Sequence, residues 1–239
     1  MNKPEPICGA NPVAALFSRR PGEVQRLFYL AEHKDSVGPW CAILAAARKP
    51  YRMVEAAELE TIAGTAHHGG IVAVARSRQL TNFDHEAPPR VKFLLILDGI
   101  GNPHNLGAIA RCAAFFGAST LLIGEGPGHA MPSPAAYRTA EGGLEHLNLY
   151  RTRDLPRAMQ SLDPHYRTVA SSLSRLAVKP SELPRDRPIA LVLGNEETGV
   201  SPAVLAGCRR EVRIPGTGNV QSLNVAQAAA VLLHAFLGD

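Results

Sequence analysis

Residues 93–111 read FLLILDGIGNPHNLGAIAR. The five residues 93–97 are apolar without alternation, so the strand they form must be covered on both faces, as in a parallel sheet flanked by helices. A polar, glycine-bearing turn follows. It leads into an apolar-periodic stretch at 105–116, closed by Gly117, which reads as a helix. The same alternation continues downstream. Strands are expected at 120–123, around Val169 and Ala170, at 189–193 (IALVL) and at 211–214. Helices are expected at 134–140, at 154–162 behind an Asp154 cap, at 202–205 and at 222–237. That order predicts an α/β fold built on a parallel sheet.

Upstream of this unit, residues 76–90 read RSRQLTNFDHEAPPR, polar and without an apolar period. A domain boundary is expected there. Before it, Asn11-Pro12 reads as a cap and first helical residue of a helix running to about Phe17. Strands at 24–30, 51–54 and 71–75 then alternate with helices at 39–48 and 56–62. The expected organisation is a small α/β domain at 1–76, a linker at 77–90 and a larger α/β domain at 91–239, complete in its own strands and helices.

The chain has 239 residues, and 46% are hydrophobic, which excludes intrinsic disorder as the main state. Net charge is +4 with a pI near 9.0, compatible with a nucleic-acid partner without demonstrating one. Eleven basic residues face nine acidic ones up to residue 90, and fourteen face twelve after it, so charge singles out neither half. Lysine occurs only at 3, 34, 49, 92 and 179; every other basic residue is arginine, the better fork for phosphate. Cysteines at 8, 41, 112 and 208 form no CxxC pair, which excludes a zinc knuckle and predicts free thiols in a reducing, cytoplasmic setting. The nine histidines make no HExxH-type spacing, so no metal is expected. His67-His68 could be ligands, but adjacent histidines at a strand start read more readily as structural or RNA-facing. No signal peptide is read at the N-terminus, and 225–237 is too short to span a bilayer.

Ligands of open α/β sheets sit beyond the carboxyl ends of strands, which directs attention to three loops. The first, 98–107, is neither a dinucleotide fingerprint nor a Walker loop. Its Asn105 reads either as a helix cap or as a site residue, and Arg111 either as a surface or a site side chain. The second, 193–202, carries Gly194 and Glu196; Ser201 is expected to cap the helix opened by Pro202. The third, 214–224, is rich in Gly and Asn and precedes a helix, where backbone N–H groups collect. Ser222 there reads equally as a cap. The helix at 222–237 is apolar around nearly its whole circumference, so it is either internal or shared with a second subunit.

In this order the three loops resemble motifs 1, 2 and 3 of the SpoU (TrmH) family of S-adenosylmethionine-dependent RNA ribose 2′-O-methyltransferases. The matches are NLGAIAR at 105–111, LVLGNEETGVS at 191–201 and IPGTGNVQSLNVAQAAAVLL at 214–233. Residues 6–76, with HHGGIVAVA at 67–75, are similar to the L30e-like substrate-binding domain that often precedes this catalytic domain. The resemblance implies a trefoil-knotted SPOUT α/β domain, a homodimer, and a structured rRNA or tRNA as substrate. It implies S-adenosyl-L-methionine held by backbone at Gly194, Ile214 and Leu223. It also places Asn105, Arg111, Glu196, Ser222 and Asn224 in the catalytic motifs. Asn102 stands where the family commonly has Asp, and Ala226-Gln227 where Ser-Val is usual. The alternatives are a non-catalytic RNA-binding protein on the same fold and a knotted enzyme that methylates a base.

Overall fold

A computed structural model describes residues 4–238; the first three residues of the expected 1–76 domain and the last of 91–239 lie outside them. In chain order the elements are β1 (Pro4–Cys8), α1 (Ala10–Arg19), β2 (Val24–Tyr29), α2 (Gly38–Ala46), β3 (Tyr51–Met53), α3 (Ala56–Ala63), β4 (Ile71–Arg76) and β5 (Thr81–Asn82). Then follow β6 (Phe93–Asp98), α4 (Pro103–Phe115), β7 (Thr120–Gly124), α5 (Pro134–Ala140), a short 3-10 turn (Gly143–His146) and β8 (Asn148–Thr152). The chain ends through α6 (Leu155–Leu162), β9 (Arg167–Ser171), β10 (Ile189–Gly194), α7 (Pro202–Leu205), β11 (Arg210–Val212) and α8 (Val225–Leu237).

Two sheets result. The first has the order β1-β4-β2-β3, with β4 antiparallel to both of its neighbours. The second has the order β11-β9-β10-β6-β7-β8-β5, and every pairing in it is parallel. Both faces of this second sheet are covered. On β6, Phe93, Leu95 and Leu97 enter one core while Leu94 and Ile96 enter the other. On β10, Ile189, Leu191 and Leu193 alternate likewise with Ala190 and Val192. Burial on both sides is why these strands are uninterrupted apolar runs. Each fully buried leucine among them contributes about 1.5–3 kcal/mol.

The connection between the two sheets is itself structured. Thr81 and Asn82 pair with Tyr150 and Arg151 as the edge strand of the larger sheet, and Phe83 is buried in its second core. Two residues are too few to show a period, so the segment reads as a linker in sequence. The first core runs on from the larger sheet into the smaller one, joining Ile7, Val13, Leu16 and Leu27 to the residues beneath α4 and α8. The cap of α1 is Gly9, at φ 98°, rather than Asn11, whose side chain instead donates to Glu141 at 2.9 Å.

Candidate functional site

The larger sheet changes direction at its centre. From β6 the chain builds outward through β7 and β8, then returns on the other side so that β10 lies beside β6. The crevice at such a switch point is where α/β sheets bind ligands. The first two motif loops leave the sheet there, side by side.

Asp98 ends β6 and is buried; its Oδ2 accepts from Ser201 N at 2.7 Å, tying the first loop to the second. Asn195, just past β10, binds in both directions. Its amide donates to Gly99 O at 2.8 Å, and its Oδ1 accepts from the N–H groups of Glu197 and Thr198 at 2.9 and 3.1 Å. Gly194 is required by the chain's own backbone, because a Cβ there would stand 2.1 Å from Val200 N. The second loop is therefore a folded-back hairpin, bridged between Asn195 and Gly199. Ser201 holds the cap position of α7 but makes no side-chain cap bond.

That scaffold presents Glu196 to α4. Asn102 caps α4 by accepting from His104 N at 2.8 Å, which leaves Asn105 free of capping. Asn105 donates its amide to Glu196 Oε1 and accepts at Oδ1 from Asn224 Nδ2 at 3.4 Å. Asn224 caps α8, accepting from Ala226 N at 2.9 Å. Three motif residues, 91 and 119 positions from Asn105 at their farthest, thus form one bonded chain. α8 begins at Val225, not at Ser222, because Asn224 is the residue that caps it.

Arg111 and Ser222 are not part of that chain. Both are exposed, and neither has a hydrogen-bond partner among the described residues. Arg111 lies six residues beyond Asn105 on α4, about 120° around the helix. Its guanidinium is free to meet a ligand. Glycine positions let α4 pack closely: a Cβ at Gly107 would meet Ala136 O at 2.4 Å, and one at Gly143 would meet Arg111 Cα at 2.9 Å.

The third loop can be tested against the cofactor the sequence implies. Among the described residues, no backbone N–H from 214 to 223 reaches a backbone carbonyl. Gly216 and Gly218 face open space. Ile214 is half-buried against the core and Leu223 is exposed. A loop whose backbone N–H groups make no backbone bond, Asn219 alone donating to Thr217 Oγ1 at 3.4 Å, beside a small apolar anchor fits a ligand such as S-adenosylmethionine, with polar edges and a flat ring. No group of three or more His, Cys, Asp or Glu that could hold an ion occurs among the described residues. Burial, with Glu211 and Asp98 adding negative charge, pushes the Cys208 thiol up to about 12, which leaves it protonated and unreactive beside the site.

Asp98 and Asn195, which hold the loops, escaped the sequence reading. The signal was present: each ends an unbroken apolar run and adjoins a glycine, where a polar side chain must face the crevice.

An α/β domain with two loops at the switch point of its parallel sheet and a third bonded to the first through Asn224, preceded by a smaller domain, is the class these observations define. Residues 92–234 match the SpoU rRNA methylase family, and residues 6–81 match the RNA 2′-O ribose methyltransferase substrate-binding family. The chain belongs to the SpoU family of S-adenosylmethionine-dependent RNA ribose 2′-O-methyltransferases. It is 31% identical over 244 residues to a 23S rRNA (guanosine-2′-O-)-methyltransferase, RlmB, of Acinetobacter baylyi, covering 98% of this chain and 97% of that protein. It is 31% identical over 229 residues to the uncharacterized tRNA/rRNA methyltransferase YfiF of Escherichia coli O157:H7, covering 95% of this chain and 66% of the relative's length. The fold matches the SpoU methyltransferase AviRb of Streptomyces viridochromogenes in complex with AdoMet, with TM-score 0.76 at 23% identity over 98% of this chain and 89% of that one.

Proposed function

We propose that the chain methylates a ribose 2′-hydroxyl of large-subunit rRNA in the cytoplasm, as a homodimer with a trefoil-knotted catalytic domain. The observation that carries the catalytic reading is the bonded chain Asn224–Asn105–Glu196 at the sheet's switch point. The rRNA target is favoured by likeness along nearly the full length of both chains to a relative named for 23S rRNA.

Bound S-adenosylmethionine supplies a methyl on a positively charged sulfur, so the reaction needs in-line placement and help with the hydroxyl proton. Gly194, Ile214 and Leu223 would hold it through backbone. Asn105, Glu196 and Asn224 would place the ribose through the hydrogen-bonding capacity they do not spend on one another. A guanidinium keeps its proton under ordinary conditions. Arg111 therefore binds the phosphate beside the target ribose and stabilises the charge developing on the 2′-oxygen. Ser222 contributes a further hydroxyl from the third loop.

The dimer reading rests on α8. Val225, Ala229, Leu232, Leu233 and Phe236 bury one side of the helix, yet Val231 is 42% exposed, and Phe115 on the packed neighbour α4 is 82% exposed. A second copy laid on this face would cover both. Light scattering at micromolar concentration should give about twice 25.5 kDa, and Phe115→Asp should give the monomer. Ribose-methylation mapping of total RNA from a strain lacking the gene should show one lost rRNA methylation. A loss confined to tRNA would replace the rRNA reading, and a profile identical to the parent's would remove the enzymatic one.

A further inference from the structure

The rim that carries the catalytic loops continues past them. Beyond the carboxyl ends of β7, β8 and β5 lies a cavity of about 400 Å³ lined by Asn82, Phe83, Glu125, Arg151, Thr152 and Arg153. Its floor is a charge arrangement with one carboxylate between two guanidiniums. Arg151 donates to Glu125 Oε1 at 3.2 Å and to Asn82 Oδ1 at 3.0 Å, and Arg153 donates to Glu125 Oε2 at 3.3 Å. None of these residues belongs to the three motif loops.

We propose that this groove binds a backbone phosphate of the substrate RNA, one that flanks the methylated nucleotide, with Arg151 and Arg153 as its fork and Glu125 as the group that holds both in place. The proposal rests on the reading of the chain as an RNA methyltransferase and deepens it.

Three features carry it. The first is unspent donor capacity. Two guanidiniums present about ten N–H donors, and the three bonds above use three of them. The second is charge. Two arginines against one glutamate leave a net positive groove, and the planar fork of arginine matches phosphate oxygens in pairs. Arg153 is 84% exposed, so its charge is offered to solvent and not to the core. The third is position. Neighbouring strands are about 4.8 Å apart, and β8 stands two strands from β6 and three from β10. The groove therefore opens about 10–15 Å along the same rim from the loops that hold Asn105 and Glu196. A strand of RNA with its ribose at the switch point crosses the groove if it runs along that rim. Edge strand β5 forms one wall, which gives the segment between the two modules a part in substrate binding.

The test is equilibrium binding of the full-length protein to unmodified rRNA, prepared from a strain lacking the gene, across a range of KCl concentrations. Arg153→Ala, at an exposed side chain, should weaken binding roughly tenfold, the scale of a lost charged hydrogen bond, and make the salt slope shallower by about 0.7. Glu125→Gln should weaken binding several-fold even though it adds positive charge, because it frees both guanidiniums from the arrangement that matches phosphate; a tightening would show Glu125 to be a competing counter-ion and overturn its holding role. Calorimetric affinity for S-adenosylhomocysteine should match wild type in both variants. Inorganic phosphate alone should show no saturable binding. Wild-type affinity and slope in both variants would overturn the groove while leaving the methyltransferase reading intact. Saturable phosphate binding abolished by Arg153→Ala would make the groove a free-anion site and overturn the RNA assignment. A wild type without measurable rRNA affinity would overturn both.

Discussion

Two polar clusters join distant parts of this chain, and they are built differently. At the junction of the two modules, Glu145 has a side chain only 1% exposed. Arg20 of the smaller module binds it through Nε and NH2 at 2.8–3.1 Å, and Arg78 of the connecting segment approaches to 3.6 Å. Arg20 NH1 also donates to Arg76 O at 2.8 Å, and Arg78 donates to the carbonyls of Leu144 and Leu147. The two arginines respond oppositely. Burial is the largest influence on both and opposes their charge; at Arg20 the Glu145 hydrogen bond together with the charges of Glu145, Tyr137 and Glu23 outweighs it and the pKa is raised, whereas burial prevails at Arg78, whose pKa is lowered. The Arg20 pairing is the tighter of the two, reaching both carboxylate oxygens. At the switch point, Asn105, Glu196 and Asn224 are bonded to one another yet remain partly open, and the Arg111 side chain, farther along α4, has no hydrogen-bond partner among the described residues. A closed cluster holds structure; an open one retains capacity for a ligand. The fragment 91–239 would keep Glu145 but lose Arg20, Arg78, β5 and Phe83. It is not expected to fold stably, because its sheet would lack the edge strand that residues 81–82 supply.

The largest effect should come from opening the closed cluster. Arg20→Ala leaves a buried carboxylate short of its main partner, a change that costs about 3–5 kcal/mol when the charge is fully stranded. Thermal unfolding should fall by roughly 10 °C for a chain of this size. Arg20→Ala combined with Glu145→Gln should recover part of that loss, since the stranded charge is gone. A single variant melting within about 2 °C of wild type would mean that the modules are held by apolar contacts alone, and the contrast between the clusters would lose its energetic side.

Next in size is Arg111→Ala. Losing a positioned charge stabiliser costs about 10²-fold in rate. Single-turnover methyl transfer should fall by at least that much, with S-adenosylhomocysteine affinity and melting temperature unchanged. Stability without activity is the mirror image of Arg20→Ala. A variant that keeps half its rate would remove Arg111 from the mechanism and leave the bonded chain to act without it.

How far these clusters could be seen in advance depended on burial and distance along the chain. The strands 93–97 and 189–193 were legible because burial on both faces leaves continuous apolar runs. β8 was not: Asn148, Tyr150 and Arg151 make it read as polar, although it pairs along its whole length with β7. β1 carries Pro4 and Pro6, and proline is tolerated there because β1 is an edge strand. The motif loops were legible as a set, but their mutual bonds were not. Glu196 lies 91 residues from Asn105, and Arg20 lies 125 from Glu145, so no spacing rule connects them. The cap reading of Asn105 was a real competitor. It is Asn102, two residues before the end of the first turn's donors, that takes the role.

The smallest expected effect discriminates most finely, because it compares two asparagines in the same structural role. Asn102 caps α4 and Asn224 caps α8, each accepting from the N–H two residues on, at 2.8 and 2.9 Å. Replacing a cap asparagine by alanine costs typically about 1 kcal/mol, so Asn102→Ala and Asn224→Ala should each lower the melting temperature by about 2–4 °C. Their chemistry should part. Asn224 also donates to Asn105, which in turn holds Glu196, so its removal leaves Asn105 Oδ1 without that donor and loosens the only bonded link, among the described residues, between the third loop and the first two. Among the described residues, Asn102 has no tie to that chain beyond the backbone of its own helix. Methyl transfer at saturating cofactor and RNA should therefore fall about tenfold in Asn224→Ala, the scale of one lost hydrogen bond of about 1.4 kcal/mol, and stay within about twofold of wild type in Asn102→Ala. Equal losses of rate in the two variants would show that helix placement alone governs activity, and that the Asn224–Asn105 contact is a consequence of capping with no share in catalysis.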